Sequence, residues 1–259
     1  MMELDPRASA AGARHRACGE IDSTNAEALR LRRQGERGPL WITAERQSAG
    51  RGRRGRGWVS LAGNLHATLL LTDVGPPENW PQIAFVAALA VHDAVVEVAP
   101  QLRPELELKW PNDLLLGGRK CGGILIEGEG GDAEPAEGGV AIGIGINCAA
   151  HPADASFAAT DFLAHGARVP AAALFAALSV KMPGRLAQWN LGNGFATIRA
   201  DWLARAAGLG QNVRVRLADR EVTGRFEALD DAGALVLMVP DEGKVVVVAG
   251  DVISFEGAQ

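Results

Sequence analysis

The nine residues from Gly50 to Trp58 carry the densest chemistry of this 259-residue chain and read Gly-Arg-Gly-Arg-Arg-Gly-Arg-Gly-Trp. Arginine forks bind carboxylate and phosphate oxygens, and glycine lets backbone amides come close to such a ligand. The four guanidinium groups repel one another, and a polyanion would relieve that repulsion. Trp58 adds a flat aromatic surface at the end. The run therefore predicts an anion-binding loop, with a nucleotide as the candidate ligand.

Two other interpretations of this run stay open on composition alone. A Gly/Arg run can be a disordered RNA-binding segment, or a solvated turn that binds nothing. The run occurs once, however, between residues 39–44 and 64–71, whose apolar and β-branched content predicts strands. The net charge of -5 also argues against a general nucleic-acid binder, which usually carries a basic face. An ordered ligand-binding loop is therefore the favoured interpretation.

Other segments carry groups that could complete a site around this loop. Residues 22–25, Asp-Ser-Thr-Asn, place hydroxyls and an amide at a predicted helix start, where backbone N–H groups also point outward. Gln47 leads directly into the loop. Residues 109–113, Lys-Trp-Pro-Asn-Asp, place a cation, an amide and a carboxylate around a strand break, and residues 119–123, Arg-Lys-Cys-Gly-Gly, place cations before two glycines. Residues 143–147, Gly-Ile-Gly-Ile-Asn, allow close backbone approach beside an amide that could meet a base edge.

Each of these segments also has an ordinary structural interpretation. Residues 22–25 can simply cap a helix, Pro-Asn-Asp is turn chemistry, and Gly-Gly can mark a β-bulge. Residues 143–147 are not a dinucleotide fingerprint, because the glycine spacing differs and a strand continues where a helix should start. The sequence has no Walker-type Gly-Lys-Ser/Thr run either. The segments indicate a site only if the fold brings them together.

Hydrophobic periodicity predicts the elements that must position these groups. The predicted strands are 39–44, 64–71, 106–110, 113–116, 120–127 and 140–147. One predicted helix begins at residue 22, and the other predicted helices cover about 81–95, 171–190 and 195–207. Residues 1–16 predict a loose polar lead-in, and the acidic, glycine-rich residues 127–139 predict a mobile loop. After Gly208 only short strands and tight turns follow, which predicts a small barrel. We therefore expect a catalytic domain over 1–208 and a barrel domain over 209–259.

Composition limits the class of protein. A hydrophobic content of 47% with 22% charged residues is ordinary for a soluble globular chain. The three cysteines are few and scattered, which fits a reducing compartment without disulfides, and no Cys/His pair has zinc-ligand spacing. The N-terminus lacks a signal-peptide pattern, and no apolar run is expected to approach membrane-spanning length. We expect a cytoplasmic protein without a membrane partner.

Together, these segments resemble the biotin–protein ligase family. The resemblance lies in residues 22–25, in Gln47 with residues 49–56, in residues 109–113, in Lys120-x-Gly-Gly-Ile-Leu-x-Glu127 and in residues 143–147, which have the family's order and spacing. The C-terminal residues 249–252, Ala-Gly-Asp-Val, look like the end of the family's small barrel. The resemblance implies an α/β (α+β) fold. It consists of a mixed, mainly antiparallel sheet with helices, related to class II aminoacyl-tRNA synthetases, followed by an SH3-like barrel.

The resemblance also implies an activity. The family uses MgATP to activate biotin as biotinyl-5′-AMP, and then transfers biotin to one lysine of a biotin carboxyl carrier domain, as in acetyl-CoA carboxylase. ATP and Mg²⁺ are the implied cofactors, with Mg²⁺ held on the ATP phosphates and no protein metal site. Two anions must meet during adenylation, so cations that stabilise the transition state fit this chemistry. The implied catalytic residues are Arg53, Lys120 and Asp113, the last to orient or deprotonate the incoming lysine.

The implied binding residues form two overlapping sets. Those for biotin are Ser23, Thr24, Asn25, Gln47, Gly50, Arg51, Gly52, Arg53, Lys120, Gly122 and Gly123. Those for ATP and the adenylate are Arg51, Arg53, Arg56, Trp58, Lys109, Asn112, Lys120 and Asn147. In this scheme Trp58 stacks on adenine and Asn147 bonds to it.

Two rival functions remain. A lipoate–protein ligase shares fold and chemistry, although the arginine run and residues 109–113 favour biotin. A non-catalytic RNA-binding protein could use the arginine run, although the chain's acidity argues against it. Gly57 and Cys121 depart from the family's pattern, which has a larger basic residue and an aliphatic one there. Only about twenty residues precede Asp22, too few for the DNA-binding domain of some members, so we expect no nucleic-acid partner, and a monomer or homodimer.

Overall fold

The computed structural model describes residues 2–129, 138–153 and 157–255. The helices are α1 (Pro6–Ala10), α2 (Thr24–Arg33), α3 (Ile83–Val98), α4 (Ala171–Trp189) and α5 (Phe195–Leu203). The strands are β1 (Arg14–Ile21), β2 (Leu40–Gln47), β3 (Leu65–Thr72), β4 (Leu106–Lys109), β5 (Asp113–Leu116), β6 (Arg119–Glu129), β7 (Gly139–Ile146), β8 (Asn212–Arg216), β9 (Glu221–Leu229), β10 (Leu235–Val239), β11 (Gly243–Val247) and β12 (Asp251–Phe255).

Seven strands form one large sheet in the order β1-β2-β3-β7-β6-β5-β4. Strands β1 and β2 run parallel, and the other neighbouring pairs are antiparallel. In the centre, β3 pairs with β7 along its whole length, from Leu65 opposite Ile146 to Thr72 opposite Gly139. The predicted mixed, mainly antiparallel sheet is confirmed.

Both faces of this sheet are covered. Strand β3 is buried from Leu65 to Leu71 on both sides, and its side chains alternate between the two faces. Leu69 belongs to the large core beneath α3, α4 and α5, whereas Leu70 packs in a smaller cluster with residues of α2. Thr68 shares the face of Leu70 by the same alternation, so it lies on the α2 side, where the start of α2 meets the centre of the sheet.

The residues after Gly208 form a second, antiparallel sheet in the order β11-β10-β9-β8-β12. This sheet packs against the strand break that follows β4. The Trp110 indole donates to the Gly233 carbonyl at 3.0 Å, and Lys109 Nζ donates to the Val252 carbonyl at 3.1 Å. These contacts place the start of β12 beside the large sheet. The predicted all-β C-terminal unit is confirmed, whereas the domain boundary at residues 208 and 209 stays a prediction.

Two predictions about the chain's irregular parts need correction. The loose lead-in over residues 1–16 is wrong, because α1 covers Pro6–Ala10 and β1 begins at Arg14. Strand β1 lies at the edge of the sheet and is rich in polar residues, so its apolar pattern is weak. The predicted loop over 127–139 is shorter at both ends, since β6 continues to Glu129 and β7 begins at Gly139. Residues 130–137 lie outside the described residues.

One segment, Pro77–Val98, has the length and composition to cross a membrane, so the prediction that no apolar run approaches that length is wrong. The segment contains α3, and 67% of its most apolar window is buried inside the protein. Helix α3 packs beside α4 and α5 over the large sheet, which is the setting of a core helix.

Candidate active site

A cavity opens on the α2 face of the large sheet, beneath the arginine loop (residues 50–58). The end of β2 enters the loop, the N-terminus of α2 forms one wall, and β5, β6 and β7 form the floor. Five segments that are far apart in sequence therefore meet at one place.

The arginine loop is a closed turn. The Gly52 amide donates to the Arg56 carbonyl at 2.7 Å, and the Trp58 amide donates to the Gly50 carbonyl at 2.9 Å. A Cβ atom on Gly50 would lie 2.5 Å from the Trp58 carbonyl oxygen, so the turn closes only with glycine there. Gly50 thus shapes the loop and is not among the residues lining the cavity.

The loop's arginines are paired with carboxylates from two distant strands. Arg51 lies 3.0 Å from Glu127 of β6. Arg53, Arg54 and Arg56 lie 3.3, 3.3 and 3.1 Å from Asp251, the first residue of β12. Three cations share one carboxylate, so the loop keeps an excess of positive charge toward the cavity.

Arg53 is the most buried of these arginines and makes the most contacts. Its guanidinium also donates to Asn112 Oδ1 at 3.1 Å and to the Gly250 carbonyl at 3.4 Å. Burial lowers the pKa of Arg53, and Asp251 opposes that shift. An arginine stays protonated in proteins, so Arg53 presents a fixed cation where the two sheets meet.

The N-terminus of α2 forms a hydrogen-bonded wall. Ser23 is the N-cap and its hydroxyl accepts from the Ala26 amide at 3.4 Å. Gln47 Oε1 accepts from the Thr24 amide at 2.8 Å and lies 3.1 Å from the Thr24 hydroxyl. Gln47 Nε2 donates to Ser60 at 3.2 Å, so both ends of this amide are fixed. Ser23 and Thr24 are buried, and the wall is set before any ligand arrives.

Glycines in β7 let bulky groups lie directly on the floor. A Cβ atom on Gly143 would lie 2.4 Å from Asn25 Oδ1, and one on Gly145 would lie 2.5 Å from the Trp58 ring. The Trp58 indole therefore lies against the backbone at Gly145. Its Nε1 is buried and has no hydrogen-bond partner among the described residues.

Asp113 and two lysines form the charged part of the floor. Lys120 Nζ and Lys109 Nζ lie 2.5 and 2.9 Å from the two oxygens of Asp113. Burial raises the pKa of Asp113, but the two ammonium groups together outweigh burial and hold this pKa below its ordinary value. The carboxylate is therefore ionised at neutral pH. Lys120 also lies 5.0 Å from the centre of the Phe157 ring, which covers it on another side.

The structure brings most of the predicted site residues together. Those that line the cavity are Ser23, Thr24, Asn25, Gln47, Arg51, Gly52, Arg53, Arg56, Trp58, Asn112, Asp113, Lys120 and Gly123. Gly50, Lys109, Gly122 and Asn147 do not line it. Lys109 reaches Asp113 from behind, and a Cβ atom on Gly122 would lie 2.5 Å from Ile146, so Gly122 serves packing between β6 and β7.

Asn147 differs most from its predicted place. Its Nδ2 donates to the Thr160 carbonyl at 3.0 Å, and its Oδ1 accepts from Asn64 at 3.3 Å. Both ends of the buried amide are thus engaged within the protein. Cys121 is also buried, and burial raises the pKa of its thiol, so this departure from the family's pattern lies in the core.

Sequence reasoning missed Phe157, Ile124, Leu125 and Ile144 as lining residues. Leu125 could have been found, because it lies two positions after Gly123 on the same strand face. Phe157 follows no motif, and only the fold places it over Lys120. The described lining carries four basic side chains and one carboxylate, an arrangement that binds anionic groups.

This geometry agrees with comparisons to known proteins. Residues 19–147 match the biotin/lipoate A/B protein ligase family, and residues 208–253 match the biotin protein ligase C terminal domain. A biotin–[acetyl-CoA-carboxylase] ligase of Paracoccus denitrificans is 43% identical over 238 residues, which cover 89% of this chain and 96% of that protein. The chain belongs to the biotin protein ligase family.

Other members extend the comparison. A ligase of the same name from Mycobacterium tuberculosis is 36% identical, with 90% of this chain and 86% of that protein covered. Among solved structures, a biotin protein ligase from Aquifex aeolicus in complex with biotin and ATP superposes with a TM-score of 0.75 at 26% identity, over 92% of this chain and 97% of that one. The family model over residues 19–147 covers both biotin and lipoate ligases, whereas the relatives and the solved structure named here are biotin ligases.

Proposed function

We propose that this ligase converts biotin and ATP to biotinyl-5′-AMP and then transfers biotin to a lysine of a biotin carboxyl carrier domain, as its relatives' names indicate. One observation carries the proposal for the site. A buried hydrogen-bonding wall and four cationic side chains line the same cavity. Biotin has a matching polarity, since a polar ureido ring lies at one end of the molecule and a carboxylate at the other.

The wall at the start of α2 suits the ureido ring. A ureido group offers two N–H donors and one carbonyl acceptor, and Ser23, Thr24 and Gln47 supply hydroxyl and amide groups already fixed by neighbours. We assign these residues to the ring, with Asn25 and the backbone at Gly123 beside it. Preorganised groups lose little freedom on binding, which favours affinity.

Adenylation takes place at the cationic end. A carboxylate oxygen of biotin attacks the α-phosphorus of ATP, the bond to the bridging oxygen breaks, and pyrophosphate leaves. Negative charge concentrates between the carboxylate and the α-phosphate, so Arg51, Arg53 and Lys120 are assigned to stabilise it. Such a group contributes roughly 3–4 kcal/mol in comparable sites. Arg56 and Asn112 lie beside Arg53 and are assigned to the phosphates.

Asp113 is assigned mainly to hold Lys120 in place. Its pKa is below the ordinary value, so its carboxylate is a weaker base than a free one. In the transfer step the acceptor amine attacks the acyl carbon, the bond from that carbon to the AMP oxygen breaks, and the amine loses a proton. Asp113 can take part in that step only after it releases one lysine. Lys109, which does not line the cavity, binds the other oxygen of Asp113.

Trp58 and Asn147 receive modified assignments. Trp58 lies across Gly145 with an unsatisfied indole N–H, so we assign it to cover the bound ligand and to donate this N–H to it. Asn147 holds the chain at Thr160, close to Lys120, because the Thr160 amide donates to the Lys120 carbonyl at 2.9 Å. Asn147 therefore contributes to an adenine site indirectly, by fixing the position of the segment at Thr160.

Mg²⁺ is proposed to arrive on the ATP phosphates. Such ions usually keep waters and bind one or two carboxylates besides the phosphates. Within the described part of the chain, no three His, Cys, Asp or Glu side chains lie close enough to hold a metal together. Mg²⁺ would neutralise phosphate charge when bound. The described cysteines are free thiols, in keeping with the proposed cytoplasmic location.

Biotin-dependent exchange of labelled pyrophosphate into ATP tests this function directly. We expect exchange with biotin and none with lipoate, followed by biotin transfer to a purified carrier domain, measured as a mass increase. Exchange with lipoate alone would favour the rival ligase. No exchange with either acid, together with retention of RNA, would contradict an enzymatic function for the arginine loop.

A further inference from the structure

Glu127 contacts both sides of the cavity without lining it. Its Oε2 accepts from Asn25 Nδ2 at 2.7 Å and from Arg51 Nη2 at 3.0 Å. Asn25 belongs to the wall at α2, and Arg51 belongs to the arginine loop. Glu127 lies two positions beyond Leu125 on β6, so it shares the strand face that forms the floor. One carboxylate oxygen therefore joins two separate parts of the site.

Asn25 has no freedom to turn. It is 3% exposed, its Nδ2 also donates to the Leu125 carbonyl at 3.3 Å, and its Oδ1 lies 2.6 Å from the Thr68 hydroxyl. A carboxylate only accepts hydrogen bonds, so Glu127 requires the amide nitrogen on its side. The amide oxygen must then face Thr68.

Thr68 continues the chain of contacts to the other end of the wall. It is fully buried, and its hydroxyl lies 2.7 Å from the Thr24 hydroxyl. The Thr68 proton is donated to Asn25 Oδ1, so the Thr24 hydroxyl donates to Thr68, and the Thr24 amide donates to Gln47 Oε1 at 2.8 Å. The connected groups are, in order, Arg51, Glu127, Asn25, Thr68, Thr24 and Gln47. Buried networks of this kind are rigid when every member is satisfied.

We propose that Glu127 is a positioning residue for the adenylation step, acting on Arg51 directly and on Gln47 through Asn25, Thr68 and Thr24. This inference rests on the proposed function, because Arg51 and Gln47 are assigned to opposite ends of biotin. A single carboxylate would then fix the distance between the ureido contacts and the carboxylate contact. Removing its charge should affect biotin more than ATP, because Gln47 and Arg51 are both assigned to biotin and only Arg51 is also assigned to the α-phosphate.

Glu127→Gln tests this proposal, with Glu129→Gln as the matched control. Glu129 is two residues further along the same strand face, and it pairs with Arg33 away from the cavity. We expect Glu127→Gln to raise the biotin KM about 10-fold or more, since charge-assisted bonds are lost, with the ATP KM within about 2-fold. Glu129→Gln should leave both constants at the wild-type value. Equal thermal midpoints would confirm that folding is intact.

Thr68 gives a second, milder variant. Thr68→Val keeps the shape and removes the hydroxyl, and we expect about a 3- to 10-fold rise in the biotin KM. Thr68→Ser keeps the hydroxyl and should restore most of the loss. A biotin KM for Glu127→Gln or Thr68→Val that equals wild type, or an equal rise in both KM values, would overturn the proposal.

A double-mutant cycle with Arg51→Ala separates positioning from general damage. If Glu127 acts through Arg51, the two changes together should cost much less than the product of the separate fold-changes. Multiplicative effects would contradict the direct link. If the wild-type chain shows no biotin-dependent exchange at all, the proposed function fails instead, so the two failures are distinguishable.

Discussion

The floor of the cavity and the arginine loop above it hold their charges in different ways. On the floor, the Asp113 side chain is only 12% exposed, and its two oxygens are paired with Lys109 and Lys120. In the loop, Arg54 and Arg56 are 37% and 50% exposed and share Asp251 with Arg53. The floor is therefore fixed by burial, whereas the loop is held by carboxylates that the anionic oxygens of a ligand can replace.

This difference separates two kinds of effect. A buried charge that loses its partner destabilises the protein by several kcal/mol, whereas an exposed ion pair contributes little to stability. Changes on the floor should therefore reduce stability together with activity. Changes in the loop should reduce activity and leave the free energy of unfolding nearly unchanged.

Asp113→Asn should have the largest effect on stability. It leaves Lys109 and Lys120 close together without their counter-ion, and we expect a loss of about 3–5 kcal/mol in the free energy of unfolding. Urea unfolding of the variant beside wild type measures this loss. Asp241, an exposed carboxylate in the turn between β10 and β11, gives the control variant Asp241→Asn. A loss for Asp113→Asn no larger than for this control would contradict the proposed role of Asp113 in the floor.

The pH dependence of the same variant sharpens this test. The pKa of folded Asp113 is below its ordinary value of 3.8, so its ionised form stabilises the folded state above that value. This contribution is lost as pH falls below 3.8 toward the folded-state pKa. The difference between wild type and Asp113→Asn should be greatest near about pH 7 and shrink in acid, as unfolding curves at each pH would show.

Arg53→Ala should have the largest effect within the loop. The guanidinium lines the cavity and is assigned to the phosphate, so its loss should slow biotinyl-5′-AMP formation about 100-fold or more. The thermal midpoint should move only slightly. A variant that unfolds as readily as Asp113→Asn would show that Arg53 belongs to the structural floor, through its contacts with Asn112 and Gly250.

Asp251→Asn should loosen the loop without disabling the site. Three arginines lose their carboxylate, so trypsin should cut within residues 51–56 about 3- to 10-fold faster, and added biotin with ATP should restore protection. The exposed Asp241→Asn is the control on the same sheet. Equal cleavage rates in both variants would show that Asp251 does not hold the loop.

The smallest effect should come from Arg54. Arg54 and Arg56 both pair with Asp251, but only Arg56 lines the cavity. Arg54→Ala should change the ATP KM by less than about 2-fold, whereas Arg56→Ala should raise it several-fold. Reversed effects of the two substitutions in steady-state kinetics would show that the loop's orientation in the bound state differs from the one described.

Much of the site could be predicted because its residues lie in short local patterns. Three segments place several polar or charged residues next to one another in the sequence. They are the arginine run, the helix start at residues 22–25 and the strand break at 109–113. Most strands of the large sheet could be predicted, because they are apolar and clear turns separate them. Strand β1 could not be predicted, because an edge strand with many polar residues lacks the apolar pattern that predicts a strand.

The partners of these residues could not be predicted in the same way. Asp251 lies 198 residues after Arg53 in the sequence, and only the packing of the second sheet brings the two together. Thr68 resembles any residue of a buried strand until the register of β3 places it under Thr24. Asn147 shows the opposite error. The sequence pattern assigned its amide to the ligand, whereas in the fold this amide bonds to Asn64 and Thr160.

Lys120 links the floor to the chemistry, and its removal tests the central claim most directly. Single-turnover formation of biotinyl-5′-AMP should be measured at saturating biotin and ATP for wild type, Lys120→Ala and the neighbouring control Arg119→Ala. Charge between the biotin carboxylate and the α-phosphate is greatest in the transition state, so Lys120→Ala should slow this step about 100-fold or more while ATP binding weakens far less. Arg119→Ala, outside the cavity lining, should match wild type. An adenylation rate for Lys120→Ala equal to that of wild type would remove Lys120 from the reaction and contradict this assignment of the cavity.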